Sequence, residues 1–183
     1  LVCGLIQVDR SIIQKKLPLV QVPGRMNLLE KSNGAYIFVD YAHNYLSIHS
    51  IGSFAKELRP QGKLIIVTGS AGGKALSRRP DIGKALSECA DIAILTSDDP
   101  DFEDPADIAK EIKDYIKNPQ VQVQWERDRL KAVTRAFEQA RSQDTVVIAG
   151  KGTETMLKYR GKEIFYEGDF QIIQRLISTE KSN

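Results

Sequence analysis

Four short apolar runs set the rhythm of this chain, and each ends in a polar or glycine-bearing loop. AYIFVDYA (35–42), KLIIVT (63–68), DIAILTS (91–97) and DTVVIAG (144–150) are dominated by Ile and Val, the pattern of strands buried on both faces. VQVQW (121–125) alternates strictly and suits a strand with one exposed face. Periodic stretches lie between the runs. In EDPADIAKEIKDYIKN, Ile108, Ile112 and Ile116 recur four apart and form one helical stripe. Asp104 stands as its N-cap and Pro105 at its first position. DRLKAVTRAFEQA puts Leu130, Val133, Ala136, Phe137 and Ala140 on one face. Residues 46–58 and 79–90 also read as helices. KYRGKEIFY (158–166) reads as a hairpin turning at Gly161, and a closing helix of roughly 169–178 follows Asp169.

Strands alternating with helices predict an α/β fold: a doubly wound, mostly parallel, Rossmann-like sheet with helices on both faces. Residues 1–22 stand outside the pattern. RSIIQKKLPLVQVPGR reads as a helix and an extended exit through Pro23 and Gly24. We expect 1–22 to be the tail of a preceding domain plus a linker, and 23–183 to be the main domain. The first residue is Leu1 rather than Met, which suggests that the amino-terminal part of a longer protein is missing.

Composition narrows the function classes. A length of 183 residues suits one full domain and a remnant. A net charge of +2 offers no basic surface for nucleic acid or a membrane. Cys3 and Cys89, the only cysteines, make neither a disulfide framework nor a metal spacing, so free thiols in a reducing cytosol are expected. No signal peptide and no bilayer-length apolar run is present. We expect a cytoplasmic protein.

In open α/β sheets, ligands bind beyond the carboxyl ends of the strands. The chemistry is therefore sought in the loops after Val39, Thr68, Thr96 and Ala149. GSAGGKAL (69–76) looks like a phosphate cradle and fails as one. Gly69 and Gly73 are one residue too close for a Walker loop, and Ala75 stands where the magnesium-binding hydroxyl belongs. Lys74 instead offers a point positive charge to a carboxylate or phosphate. Asp40 and His43 of VDYAHN end the first strand, where an acidic residue commonly meets ribose. SDDPDFEDP (97–105) crowds five carboxylates into one loop. The dipole of the following helix accounts for Glu103 and Asp104. Asp98 and Asp99 sit a turn earlier, and with no third ligand in spacing they suit an ammonium group better than a metal. AGKGTE (149–154) brings Gly150 and Gly152 for close backbone approach, and Glu154 as a further carboxylate.

Taken together, VPGRM (22–26), DYAHN (40–44), the glycine loop ending in RRP (78–80), TSDDP (96–100) and AGKGTE (149–154) resemble the carboxyl-terminal domain of the Mur ligases over about residues 22–170. The resemblance implies an ATP-dependent amide ligase of peptidoglycan synthesis, in the branch that adds the third stem residue. ATP would phosphorylate the D-glutamate carboxylate of UDP-N-acetylmuramoyl-L-alanyl-D-glutamate, and a diamino acid would attack the acyl phosphate. Magnesium and the Walker loop would belong to a central domain outside this sequence, leaving no catalytic residue and no metal ligand here. Arg25, Asp40, His43 and Asn44 would touch the nucleotide. Lys74 would hold the amino acid's carboxylate, and Asp98, Asp99, Gly150 and Glu154 would surround its ammonium groups.

Two positions depart from the family pattern: Lys74 replaces an arginine, and Thr153 replaces the histidine of GKGHE. Asp101 falls where enzymes using meso-diaminopimelate carry an arginine. An aspartate there would repel a second carboxylate and attract an ε-ammonium, which points to L-lysine. The rival expectations are a folylpolyglutamate synthetase, whose motif also ends in AHN, and a non-catalytic module binding an amino acid or nucleotide.

Overall fold

The computed structural model describes residues 9–16, 20, 22–74 and 76–182. Cys3, Ala75 and much of the expected linker lie outside the described residues. A short helix, α1 (Arg10–Lys16), buries none of its side chains. The main domain then runs β1 (Asn27–Glu30), β2 (Tyr36–Asp40), α2 (Tyr45–Leu58), β3 (Leu64–Thr68), α3 (Arg78–Cys89), β4 (Ile92–Leu95), α4 (Pro105–Asp114), β5 (Gln122–Trp125), α5 (Arg129–Gln139), β6 (Thr145–Ala149), β7 (Met156–Tyr159), β8 (Lys162–Phe165) and α6 (Asp169–Ser182).

Six strands form one sheet in the order β1-β2-β6-β3-β4-β5. All neighbours are parallel except β1 with β2. The expected doubly wound α/β class is therefore what the chain adopts. The inner strands β2, β3, β4 and β6 are almost wholly buried, and β5 is the half-exposed edge its alternation predicted. β1 was not anticipated. NLLE is four residues long and pairs antiparallel at the opposite edge, too short to show a period. β7 and β8 form a separate antiparallel hairpin that turns at Arg160 and Gly161.

Two cores follow from the two sheet faces. α2, α3 and α4 cover one through Ile48, Ile51, Ile82, Leu86, Ile108 and Ile112. α5 and α6 cover the other through Val133, Phe137, Ile172 and Ile173. The predicted cap is in place, with Asp104 accepting from Ala106 N–H, and Asp128, not anticipated, caps α5 by accepting from Lys131 N–H. The Ile stripe ends sooner than its period suggested, because the helix stops at Asp114 and Ile116 packs from beyond it. Cys89 is buried against Gly52, and burial pushes its thiol up to about 11. Among the described residues no helix is long and apolar enough to cross a membrane.

Candidate functional site

The carboxyl ends of four parallel strands release four loops on one side of the sheet. His43 after β2, Lys74 after β3, Asp98 and Asp99 after β4, and Gly150 and Glu154 after β6 line one cavity of about 230 Å³. Arg78, at the start of α3, adds a second cation to its wall. Six of the ten residues singled out by sequence thus share one concavity.

The members are held differently. Asp99 adopts φ +48°, which Asp tolerates better than most side chains. Its Oδ1 accepts from Lys151 Nζ (2.9 Å) and from Lys158 N–H (2.9 Å). Lys151 also pairs with Glu154 Oε2 at 2.6 Å and is 1 % exposed. Burial alone would lower its ammonium, but Glu154 and Asp99 outweigh burial and hold it above the usual range. Asp98 has no hydrogen-bond donor among the described residues. Burial pushes its carboxyl up, while Arg129 and Lys151 pull it back. Gly150 sits at φ +117°, and a Cβ there would collide with the Asp98 carboxylate. His43 Nδ1 donates to Tyr41 O at 2.6 Å. A carbonyl only accepts, so the neutral ring carries its lone pair on Nε2.

The other four residues lie apart. Arg25 stacks over the Tyr41 ring at 5.0 Å beside a groove of about 510 Å³ that also touches Asn27, Thr153 and Phe170. Tyr41 and Thr153 hydroxyls share a 2.7 Å hydrogen bond. The threonine that departs from the family pattern thus fastens the two loops, and Gly152 leaves room for the Tyr41 ring. Asp40 is nearly buried, and its two oxygens accept from Met26 N–H (2.8 Å) and Ala42 N–H (2.7 Å). Asn44 caps α2 in a reciprocal pair with Ser47. Asp101 (φ +52°) accepts from Gly161 N–H at 2.7 Å and pairs with Lys158 Nζ at 2.9 Å, anchoring the hairpin. The Lys158 hydrogen bond and the Gly161 amide hold its carboxyl below the usual range.

Sequence reasoning missed two ion-pair networks built on buried arginines. Arg129 is bidentate to Asp169 (Nε 3.0 Å, Nη2 2.8 Å), with neither side chain exposed, and Tyr166 hydroxyl donates to Asp169 at 2.7 Å. Arg79 pairs with Glu103 (2.7 Å) and Glu111 (2.8 Å), and Glu103 accepts from Gly73 N–H. Glu103 therefore ties the glycine loop to the acidic loop, beyond the helix-dipole role read from its position. Lys151 sat in plain view inside GKG, between the two glycines that drew attention. Among the described residues no three His, Cys, Asp or Glu side chains converge to hold a metal ion.

Comparison with known proteins places this geometry. The Mur ligase glutamate ligase domain matches residues 24–152. A UDP-N-acetylmuramyl-tripeptide synthetase of Ligilactobacillus salivarius is 43% identical over 164 residues, covering 90% of this chain and 32% of that protein. A UDP-N-acetylmuramoyl-L-alanyl-D-glutamate–L-lysine ligase of Enterococcus faecalis is 41% identical over 175 residues, covering 95% of this chain and 34% of that protein. The solved structure of a UDP-N-acetylmuramoyl-L-alanyl-D-glutamate–2,6-diaminopimelate ligase superposes with a TM-score of 0.79 at 28% identity, over 98% of this chain and 37% of that one. The chain thus spans about a third of the length of the relatives it matches. On the match across its sheet and site loops, this chain belongs to the Mur ligase family and carries that family's glutamate ligase domain.

Proposed function

We propose that this chain is the carboxyl-terminal domain of an ATP-dependent amide ligase that adds a diamino acid, L-lysine, to UDP-N-acetylmuramoyl-L-alanyl-D-glutamate. The observation that carries the reading is the cavity that Asp98, without a donor among the described residues, lines together with Lys74 and Arg78. Such a wall complements an amino-acid zwitterion: the carboxylate meets the cations, and the ammonium meets Asp98. A charge-assisted hydrogen bond of that kind is roughly twice as strong as a neutral one. Asp99 and Glu154 are already shared with Lys151, so Asp98 is the carboxylate open to the incoming ammonium.

Mur ligases depend on ATP, with magnesium typical of the family. Arg25 has a guanidinium suited to phosphate at the edge of its groove. Asp40 and Asn44 support the nucleotide side by shaping the loops next to Arg25 and His43. We place the magnesium ligands on a preceding domain, as the family resemblance implies. Residues 1–22 read as the end of that domain and a linker. The preference for lysine over meso-diaminopimelate draws support from the printed activity of the Enterococcus relative and from Asp101 at the position described above. The names of both sequence relatives place them in the muramyl branch rather than among folate ligases.

The test is ATP-dependent ligation by the full-length parent, with UDP-N-acetylmuramoyl-L-alanyl-D-glutamate as acceptor and L-lysine, meso-diaminopimelate or L-ornithine as donor. Lysine-selective ligation is expected, with no turnover by residues 1–183 alone. Selectivity for diaminopimelate would overturn the lysine assignment, and no ligation with any donor would overturn the reading as a whole.

A further inference from the structure

The Arg129–Asp169 pair adjoins the cavity through the residues before Asp98 and Gly150, and has no role in the reading above. A wholly buried ion pair is weak evidence for stability, since desolvation offsets much of the attraction. Its spare hydrogen bonds show where it acts. Beyond the bidentate contact with Asp169, Nη2 donates to Ala149 O at 2.9 Å and Nη1 to Ser97 O at 3.4 Å. Ala149 is the last residue of β6 and immediately precedes Gly150. Ser97 immediately precedes Asp98. One guanidinium therefore grips the backbone one residue before each of two cavity-lining positions. Gly150 brings the parts together: a Cβ there would collide with the Asp98 carboxylate and lie 3.8 Å from Arg129 Nη2, so both groups flank the same glycine.

Resting on the amino-acid cavity proposed above, we infer that Arg129 is a positioning residue for amino-acid binding. It clamps the exits of β4 and β6 through the Ser97 and Ala149 carbonyls, and so holds Asp98 and Gly150 at the cavity wall near a fixed cation. Asp169 and Tyr166 orient the clamp from α6 and the hairpin side. The charges facing Asp98 are Arg129 from α5, Lys151 from the β6 loop, Asp99 beside it, and Asp169 from α6. His43, Lys74, Arg78 and Glu154 complete the wall. Within this set Arg129 is wholly buried, whereas Lys151 is shared between two other carboxylates.

Arg129→Lys keeps the charge and removes the fork that reaches Asp169 and both carbonyls. In the full-length ligase it should raise KM for lysine about tenfold or more, leave KM for ATP within about twofold, and move the acid limb of lysine kcat/KM to higher pH. Tyr166→Phe, which removes one donor and no charge, should move lysine KM in the same direction by less. In the 183-residue chain, a ¹³C titration of the Asp98 carboxyl should show its midpoint rising by about one pH unit in Arg129→Lys. A purely structural Arg129 would instead lower the amount of active enzyme with both KM values and the Asp98 midpoint unchanged, and that result would overturn the inference. If Arg129→Lys does not fold, an unchanged lysine KM in Tyr166→Phe overturns it equally. The titration needs no turnover, so it still decides the inference if the wild-type parent fails to ligate lysine and the functional reading falls.

Discussion

At the amino-terminal end of the sheet, Asp144 accepts from Lys63 N–H (2.8 Å) and Arg141 N–H (2.9 Å), and Asp91 accepts from Leu64 N–H (2.7 Å). Lys31 donates to Phe137 O (2.9 Å) and pairs with Glu180 (3.4 Å). Charge there closes strand and helix ends. At the carboxyl-terminal end half-buried Asp98 has no hydrogen-bond donor among the described residues, and Asp99 and Asp101 both take left-handed backbone. Sparsely populated backbone conformations cluster at functional sites. If the proposed reading holds, the difference separates charges that stabilise the fold from a carboxylate, Asp98, left for a ligand.

Asp98→Asn tests that separation most strongly. Losing a charge-assisted contact worth ~1.5–3 kcal/mol should lower lysine kcat/KM of the full-length ligase roughly 10- to 100-fold, with KM for ATP unchanged. Equal losses for both substrates would remove Asp98 from the amino-acid site. Lys31→Met is its counterpart at the other end. It leaves the carbonyl of Phe137 without its donor and should cost the chain ~1–3 kcal/mol in urea unfolding, while both KM values stay as in the wild type. A changed lysine KM would blur the distinction between the ends.

A third test uses pH. Burial raises the Asp98 carboxyl above its ordinary value, so folding favours its protonated form. Stability from this group is fully present below the ordinary carboxylate value and is lost as pH rises through the raised one. Asp98→Asn should therefore be more stable than the wild type at pH 7, with the advantage fading towards pH 3. An advantage that grew on acidification would reverse the assignment. Glu103 behaves oppositely. The Gly73 amide and Arg79 hold its carboxyl low, so its contribution is present at neutral pH and lost in acid.

How far the sequence carried the structure depended on range. Ile- and Val-rich runs gave the parallel strands because burial on both faces writes itself into consecutive residues. The loops carrying His43, Lys74, Asp98, Asp99, Gly150 and Glu154 followed from the sheet rule, and the cavity gathers them. What stayed hidden was pairing across distance. Arg129 looks like a solvated residue at a helix start, and nothing local announces Asp169, forty positions on. Arg79 hides in RRP for the same reason. Asp40 and Asn44 stand in the motif read for the nucleotide, yet each has backbone amides to hold.

Asp101 gives the smallest and sharpest test, because it lies between the two kinds of charge. It belongs to the acidic loop of the site, yet its carboxylate closes the β7–β8 turn through Gly161 N–H and pairs with Lys158, which is half exposed. An ion pair of that exposure adds little to stability because water screens it. Asp101→Asn keeps an oxygen for the Gly161 amide and drops only the charge. If Asp101 serves chiefly the hairpin, lysine KM should change less than about threefold and the lysine-to-diaminopimelate ratio should hold. If the ε-ammonium of lysine displaces Lys158 from this carboxylate, the ratio should fall well beyond threefold while unfolding by urea is unaltered. Measuring both on one variant separates a carboxylate that builds the rim of the site from one that reads the far end of the substrate, which the motif position alone does not distinguish.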